Sequence, residues 1–294
     1  MDQKILKPTA SLLLTRPVFT IKARTNLLEN TPAIAGVFSL IYTISVTLAV
    51  LFFIIGAIYG SFLNMLLWRL PRKETIGGRS YCPSCKHRLS PSDLIPIVSY
   101  LVLAGRCRYC RARIPIRYLA VELVCALTLS AYALWAGPLS VGVIFGAYIV
   151  LTLLGLLFFD LYYMILPDAL MVPAIIIIAF YDIFAVPNSL EHFGAALLSA
   201  LFFGIIYTAS KGGWLGLGDV KLVFLIGLLL GYLLTYAAVV LAVWLGAAVG
   251  LTMVVSRRAT MKNALPFGAF LCLTTLVFFI FRNEFSFPQT LFGW

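Results

Sequence analysis

Charge is what this sequence has least of. Only 11% of its 294 residues are charged, where a soluble globular protein carries about 25%. Hydrophobic residues make up 62%, and the mean hydropathy is +1.02. That excludes a chain built for water and points to an all-α polytopic membrane protein. Acids are scarcer than bases, 11 against 22, for a net charge of +11. Such an excess can mark a nucleic-acid binder, but its distribution argues otherwise. Eleven of the 22 Lys and Arg lie between Arg69 and Arg117, flanked by apolar runs. Positive-inside topology and contact with anionic headgroups explain that placement, and no nucleic acid is expected. A clear small-residue cleavage site is also missing. The first apolar stretch, from about Ile34, therefore reads as a span rather than a secretory leader.

Long apolar runs are abundant. At about 20 residues per crossing they give about eight transmembrane helices, near 36–60, 118–136, 141–159, 169–187, 193–209, 220–233, 235–256 and 266–282. The division near Gly231 has no polar break to mark it. The chain divides into a basic tail (1–35), a first transmembrane helix (36–68), a cytoplasmic loop domain (69–117) and a transmembrane region (118–294).

With the Arg-rich loop in the cytoplasm, parity puts Lys211, Lys221, Arg257, Arg258 and Lys262 inside and Arg282 outside. The tail, with Lys4, Lys7, Arg16, Lys22 and Arg24, resists this count, because parity leaves it outside. The stretch "LIPIVSYLVLAG" (94–105) is too short to span. It reads as the small core of the loop domain or as an interfacial helix.

Against this apolar background the carboxylates stand out. Asp160 ends the run in "LLFFDLYYMILPD", and Asp219 follows Gly216 and Gly218 in "GLGDVKL". Parity puts both at cytoplasmic ends of spans. Two carboxylates held close in a low-dielectric site cannot both ionise. Such a pair shares a proton and can activate water while protonating a leaving amine, which is aspartic-protease chemistry. Glycine at 216 and 218 permits close approach or unusual backbone. The structural alternative for Asp219 is to cap a helix starting at Val220. Asp168 reads as an N-cap or supporting residue, and Asp182 as structural or solvated.

Cys82, Cys85, Cys107 and Cys110 form C-x2-C-x21-C-x2-C. Four thiolates at this spacing suit a structural Zn2+, with the surrounding Lys86, Arg88, Arg106, Arg108, Arg111 and Arg113 offsetting its charge. Matched pairs on the reducing side of the membrane favour metal over disulfide. Cys125 and Cys272 lie within spans and read as packing residues. Gly60, Ser61 and Asn64 put small and polar groups on the first span, which helix packing or ligand contact would explain. Glu122, near the start of the second span, has Arg117 as its nearest cation in sequence.

Together these segments resemble the type IV prepilin peptidases, polytopic aspartic proteases of the GxGD kind. "GSFLN" and "RLP", the two C-x-x-C pairs around "LIPIVSYLVLAGRCRYC", "RYLAVEL", "DLYYMILPD", "GLGDVKL" and "PFGAF" occur in the family's order from about Gly60 onward. The resemblance implies that Asp160 and Asp219 are the catalytic pair. It implies a bacterial inner-membrane enzyme that cuts type IV prepilins and type II secretion pseudopilins at the cytoplasmic face, after the glycine ending a basic leader. It also implies methylation of the new N-terminus from S-adenosylmethionine, to which no residue here is assigned.

Two other classes use similar residues. A proton-coupled transporter also pairs intramembrane carboxylates, but more often shows internal repeats, which are missing here. A membrane thiol oxidoreductase would use the C-x-x-C pairs, but on the oxidising side. The loop's cations, including Arg69, Arg72, Lys73, Arg79 and the arginines around Cys107, are expected to press the zinc domain onto the anionic inner leaflet.

Overall fold

A computed structural model describes residues 32–186, 189–256 and 265–281, with side chains from Thr43 onward. The basic tail, Arg257, Arg258, Lys262 and Arg282, for which the sequence gives expectations, lie outside them. Among the described residues the regular structure is all helical apart from two isolated β-bridges. The helices are α1 (Pro32–Arg69), α2 (Val98–Val102), α3 (Arg117–Ala136), α4 (Val141–Tyr163), α5 (Asp168–Ala185), α6 (Ser189–Ala209), α7 (Leu217–Val255) and α8 (Phe267–Ile280). Six are long and apolar enough to cross a membrane, and α8 is a shorter apolar helix.

The unmarked division near Gly231 is real. Gly231 has φ 69° and ψ −174° inside α7, a backbone that a side-chain-bearing residue rarely adopts. The Thr235 hydroxyl donates to the Ile226 carbonyl at 3.3 Å. Nine residues of continuous helix would separate those groups by about 13 Å, so the chain doubles back at Gly231. His192 Nδ1 donates to the Leu228 carbonyl beside the break. Backbone groups freed within lipid must find such substitutes. With α7 counted as two arms, the eight expected apolar helices are all present.

The chain forms two compact units. Of the described residues, one holds those up to Leu66 together with Ile76–Tyr148, and the other holds Leu67–Thr75 and those from Ile149. In the first, α1 packs closely on α3: a Cβ added at Gly60 would lie 2.6 Å from the Glu122 Cα. Asn64 Nδ2 donates to the Tyr118 carbonyl at 2.9 Å. Among the described residues Glu122 forms no ion pair with Arg117 or another cation. Its Oε2 accepts the Ile97 amide at 2.7 Å, and Ser61 and Asn64 also hydrogen-bond to it. In the second unit α5, α6 and α8 pack on α7, which carries Asp219.

Arg69 is buried and donates to the Thr75 carbonyl at 3.1 Å. It therefore holds the loop's entry rather than meeting headgroups. Arg72 lies over the Trp68 ring, 3.6 Å from its centroid. The 94–105 segment is not a loop core either, because Leu94, Ile95, Val98, Leu101 and Val102 are exposed.

Candidate active site

Asp160 sits in the last turn of α4 and not in the turn beyond it. It is only 5% exposed. Its Oδ2 accepts the Ala269 amide at 2.6 Å, and the Gly268 amide also hydrogen-bonds to the carboxylate. Both amides belong to the first turn of α8, whose N-cap is Pro266. Amides there lack intrahelical acceptors, and a helix N-terminus favours negative charge. A helix start distant in sequence thus seats this carboxylate.

Asp219 is the third residue of α7, behind the N-cap Gly216. Its Oδ2 accepts the Gly216 amide at 3.0 Å, and its own amide donates to the Gly216 carbonyl at 3.1 Å. The helix therefore starts at Leu217, before Val220, and Asp219 closes the turn from inside. Gly216 has an ordinary extended backbone, φ −80° and ψ 153°. Close approach is what glycine supplies at 218: a Cβ there would lie 3.1 Å from Leu166 Cβ. The two carboxylates lie within Coulombic range of each other. Fully buried Cys272 is within range of both.

Asp168 and Asp182 each have a cationic or imidazole neighbour of their own. Asp168 follows the N-cap Pro167, so it is a first-turn residue and not the cap. It pairs with Lys221 Nζ at 2.7 and 2.9 Å. Asp168 is exposed and Lys221 half-buried, so the bridge is solvent-screened and adds little stability. Asp182 is buried and not solvated, with Oδ2 3.7 Å from His192 Nδ1.

The four loop cysteines converge. Their sulfurs lie within 4.8 Å of one another. The Cys82 and Cys110 sulfurs are 3.9 Å apart, close to the edge of about 3.8 Å implied by a tetrahedron with Zn–S bonds of about 2.3 Å. Each pair sits on the same kind of turn. Cys82 N donates to the His87 carbonyl at 3.0 Å and Cys107 N to the Ala112 carbonyl at 2.9 Å, while Lys86 and Arg111 both have φ 59°.

Burial opposes ionisation of Cys82, but the Cys85 and Ser84 amides and neighbouring thiols lower it to about 7. At Cys110 the Ala112 amide lowers the thiol, yet burial and the other three sulfurs raise it to about 11. Crowded sulfurs compete for one negative charge, and a divalent cation relieves that competition. The donor set fits Zn2+.

Two family models match the chain. One, described as the bacterial peptidase A24 N-terminal domain, covers residues 54–136, and the other, the type IV leader peptidase family, covers 147–251. A prepilin leader peptidase/N-methyltransferase of Bacillus subtilis is 31% identical over 240 residues, 79% of this chain and 94% of the relative. The chain belongs to the type IV leader peptidase family. Relatives of the same name from Pseudomonas aeruginosa and Legionella pneumophila are each 30% identical, covering 79% and 74% of this chain and 89% and 86% of theirs. No solved structure matches.

In this leader peptidase family member the first window holds the four cysteines and Glu122, and the second holds Asp160 and Asp219. With its apolar helices, the chain is a bacterial membrane protein. The residues that seat Asp160, Gly268 and Ala269, fall outside both windows. In the sequence "PFGAF" is recognisable as a family segment but has no visible task. The available signal was a proline and a glycine opening a helix in an otherwise apolar run.

Proposed function

We propose that this chain is a membrane aspartic endopeptidase that removes the basic leader of type IV prepilins and type II secretion pseudopilins. Asp160 and Asp219 are the pair that does the chemistry. The observation that carries this reading is that each carboxylate is fixed through Oδ2 by a backbone amide, within Coulombic range of the other.

The ionised member takes a proton from water as it attacks the scissile carbonyl. The protonated member then gives its proton to the leaving amine, and the tetrahedral intermediate collapses. The family's polarity, and positive-inside counting with Lys211 and Lys221 on the inner side, favour a cytoplasmic-facing site in the inner membrane. In this scheme residues 69–117 form the zinc domain and 118–294 the peptidase region. Zn2+ on Cys82, Cys85, Cys107 and Cys110 is structural. Methyl transfer from S-adenosylmethionine rests on the names of the relatives, and the geometry assigns no side chain to the donor.

The test is cleavage of a prepilin by the purified full chain, read by mass spectrometry of the product's N-terminus. The expected product begins just after the leader's glycine and gains one methyl group when S-adenosylmethionine is supplied. An intact prepilin in the presence of folded enzyme sinks the proposal.

Two further expectations concern the loop. Cys82→Ser or Cys107→Ser should lower metal content from about one zinc per chain and reduce cleavage less than loss of either aspartate. Metal analysis that finds no zinc in protein purified without chelator contradicts this.

Asp93 ties the second cysteine pair to the loop. Its carboxylate accepts Arg108 Nε at 2.6 Å, the Ser90 hydroxyl at 2.8 Å and the Ser90 amide at 3.1 Å. Burial pushes this carboxyl up, but those donors outweigh it and hold it below the usual range. A depressed folded-state pKa means the contribution is complete at neutral pH and is lost as pH falls through that value. Asp93→Ala should therefore speed zinc loss to a chelator roughly tenfold at pH 7, about the worth of one charge-assisted hydrogen bond. Wild-type release kinetics in the variant would contradict this.

A further inference from the structure

The loop holds an apolar strip that no helix of its own unit covers. Leu94, Ile95, Val98, Leu101 and Val102 are all exposed, Leu101 to 63% and Val102 to 75%. Val98, Leu101 and Val102 stand at i, i+3 and i+4 on one face of the short helix α2, and Leu94 and Ile95 precede it. Their depth is fixed by a contact at the strip's centre. Ile97 has φ 63°, an unusual backbone for a β-branched residue, and its amide is held by Glu122 Oε2 at 2.7 Å.

Glu122 lies five residues beyond Arg117, the first residue of α3, hence about 7.5 Å down the helix axis. Arg117 sits over the Tyr118 ring at 5.4 Å, the kind of pairing found where a span meets water. Ile97 is therefore held about one and a half turns below the mouth of a membrane helix. Interfacial helices bury their apolar faces to a similar depth, about 5–10 Å into the headgroup and acyl boundary. Charge agrees with that surface. Residues 69–117 carry eleven Lys and Arg against two acids, Glu74 and Asp93. A cleft of about 480 Å3 lined by Arg79, Tyr81, Lys86 and Arg88 offers basic groups suited to a lipid phosphate.

We infer that residues 94–102 form a monotopic anchor, seated in an anionic leaflet at a depth set by the Glu122–Ile97 hydrogen bond. The occupant of the strip is lipid. The anchor holds the cysteine domain at the membrane surface independently of any peptidase chemistry.

The full chain in anionic nanodiscs tests this with a tryptophan reporter. Val102→Trp and Val98→Trp place it on the strip, and Gly77→Trp, where an added Cβ meets nothing within 4 Å, places it off the strip. Monodisperse elution with wild-type metal content shows that each variant folds. Lipids brominated near the headgroup end of the acyl chain should lower the added fluorescence of both strip reporters roughly twofold, as expected at interfacial depth, and leave the Gly77→Trp reporter unchanged. Quenching of the strip reporters no greater than at Gly77→Trp overturns the inference. So does protection that arises only when a prepilin is added, or only in discs holding two copies, which would give the strip to a peptide or to a second chain.

Discussion

Asp160→Asn and Asp219→Asn are each expected to abolish prepilin cleavage, lowering the rate by about 10^3-fold or more, while the protein still inserts in the membrane. One carboxylate cannot be both base and acid in the same step, and general acid–base roles of this kind are worth about 10^2–10^4-fold each. Asparagine keeps the shape of either side chain and can still accept the backbone amide at Oδ, so loss of activity would report chemistry rather than collapse. Asp168→Asn is the control. Its carboxylate is exposed and paired to Lys221, and activity should stay near wild type. Cleavage by Asp160→Asn together with an inactive Asp168→Asn would show that Asp219's partner is Asp168.

Gly268→Val should be nearly as damaging, although it alters no ionisable group. A Cβ at this position would lie 3.1 Å from Asp160 Oδ2 and 3.2 Å from Leu166 Cδ1. The valine methyls reach further, so the carboxylate must leave the Ala269 amide. Losing a hydrogen bond to a charged group costs about 1.5–3 kcal/mol. Misaligning the group that handles the proton adds to that, for an expected loss of about 10^2-fold in cleavage. Substrate binding should change little, so the loss falls on kcat. Gly268→Ala should be milder because a single methyl demands only a few tenths of an ångström. Wild-type cleavage by Gly268→Val would mean that Asp160 does not depend on the α8 N-terminus.

The helices were legible in the sequence because a bilayer imposes length and apolarity on each of them, and the expected segments match to within a few residues at most ends. Asp160 and Asp219 were legible as charges out of place. What could not be read was which backbone serves them. Ala269 is 109 residues from Asp160, and no local pattern encodes that meeting. Glu122 failed for the same reason. Arg117 was its nearest cation in sequence, yet a main-chain amide from the loop holds it instead. Arg69 looked like one basic residue among eleven until burial separated it from the rest. Charge counting assigns sides of the membrane but does not say which cations face water.

The reversal at Gly231 bears on how the protein is made. From Leu222 to Ser256 the sequence contains no Asp, Glu, Lys or Arg, and the turn itself is one buried glycine. A nascent chain can therefore deliver this stretch to the insertion machinery as one closed hairpin, with no hydrophilic connector to carry across. An epitope placed there would add polar residues to a one-glycine turn, and the arm that carries Asp219 would lose its partner during biogenesis, before any substrate arrived.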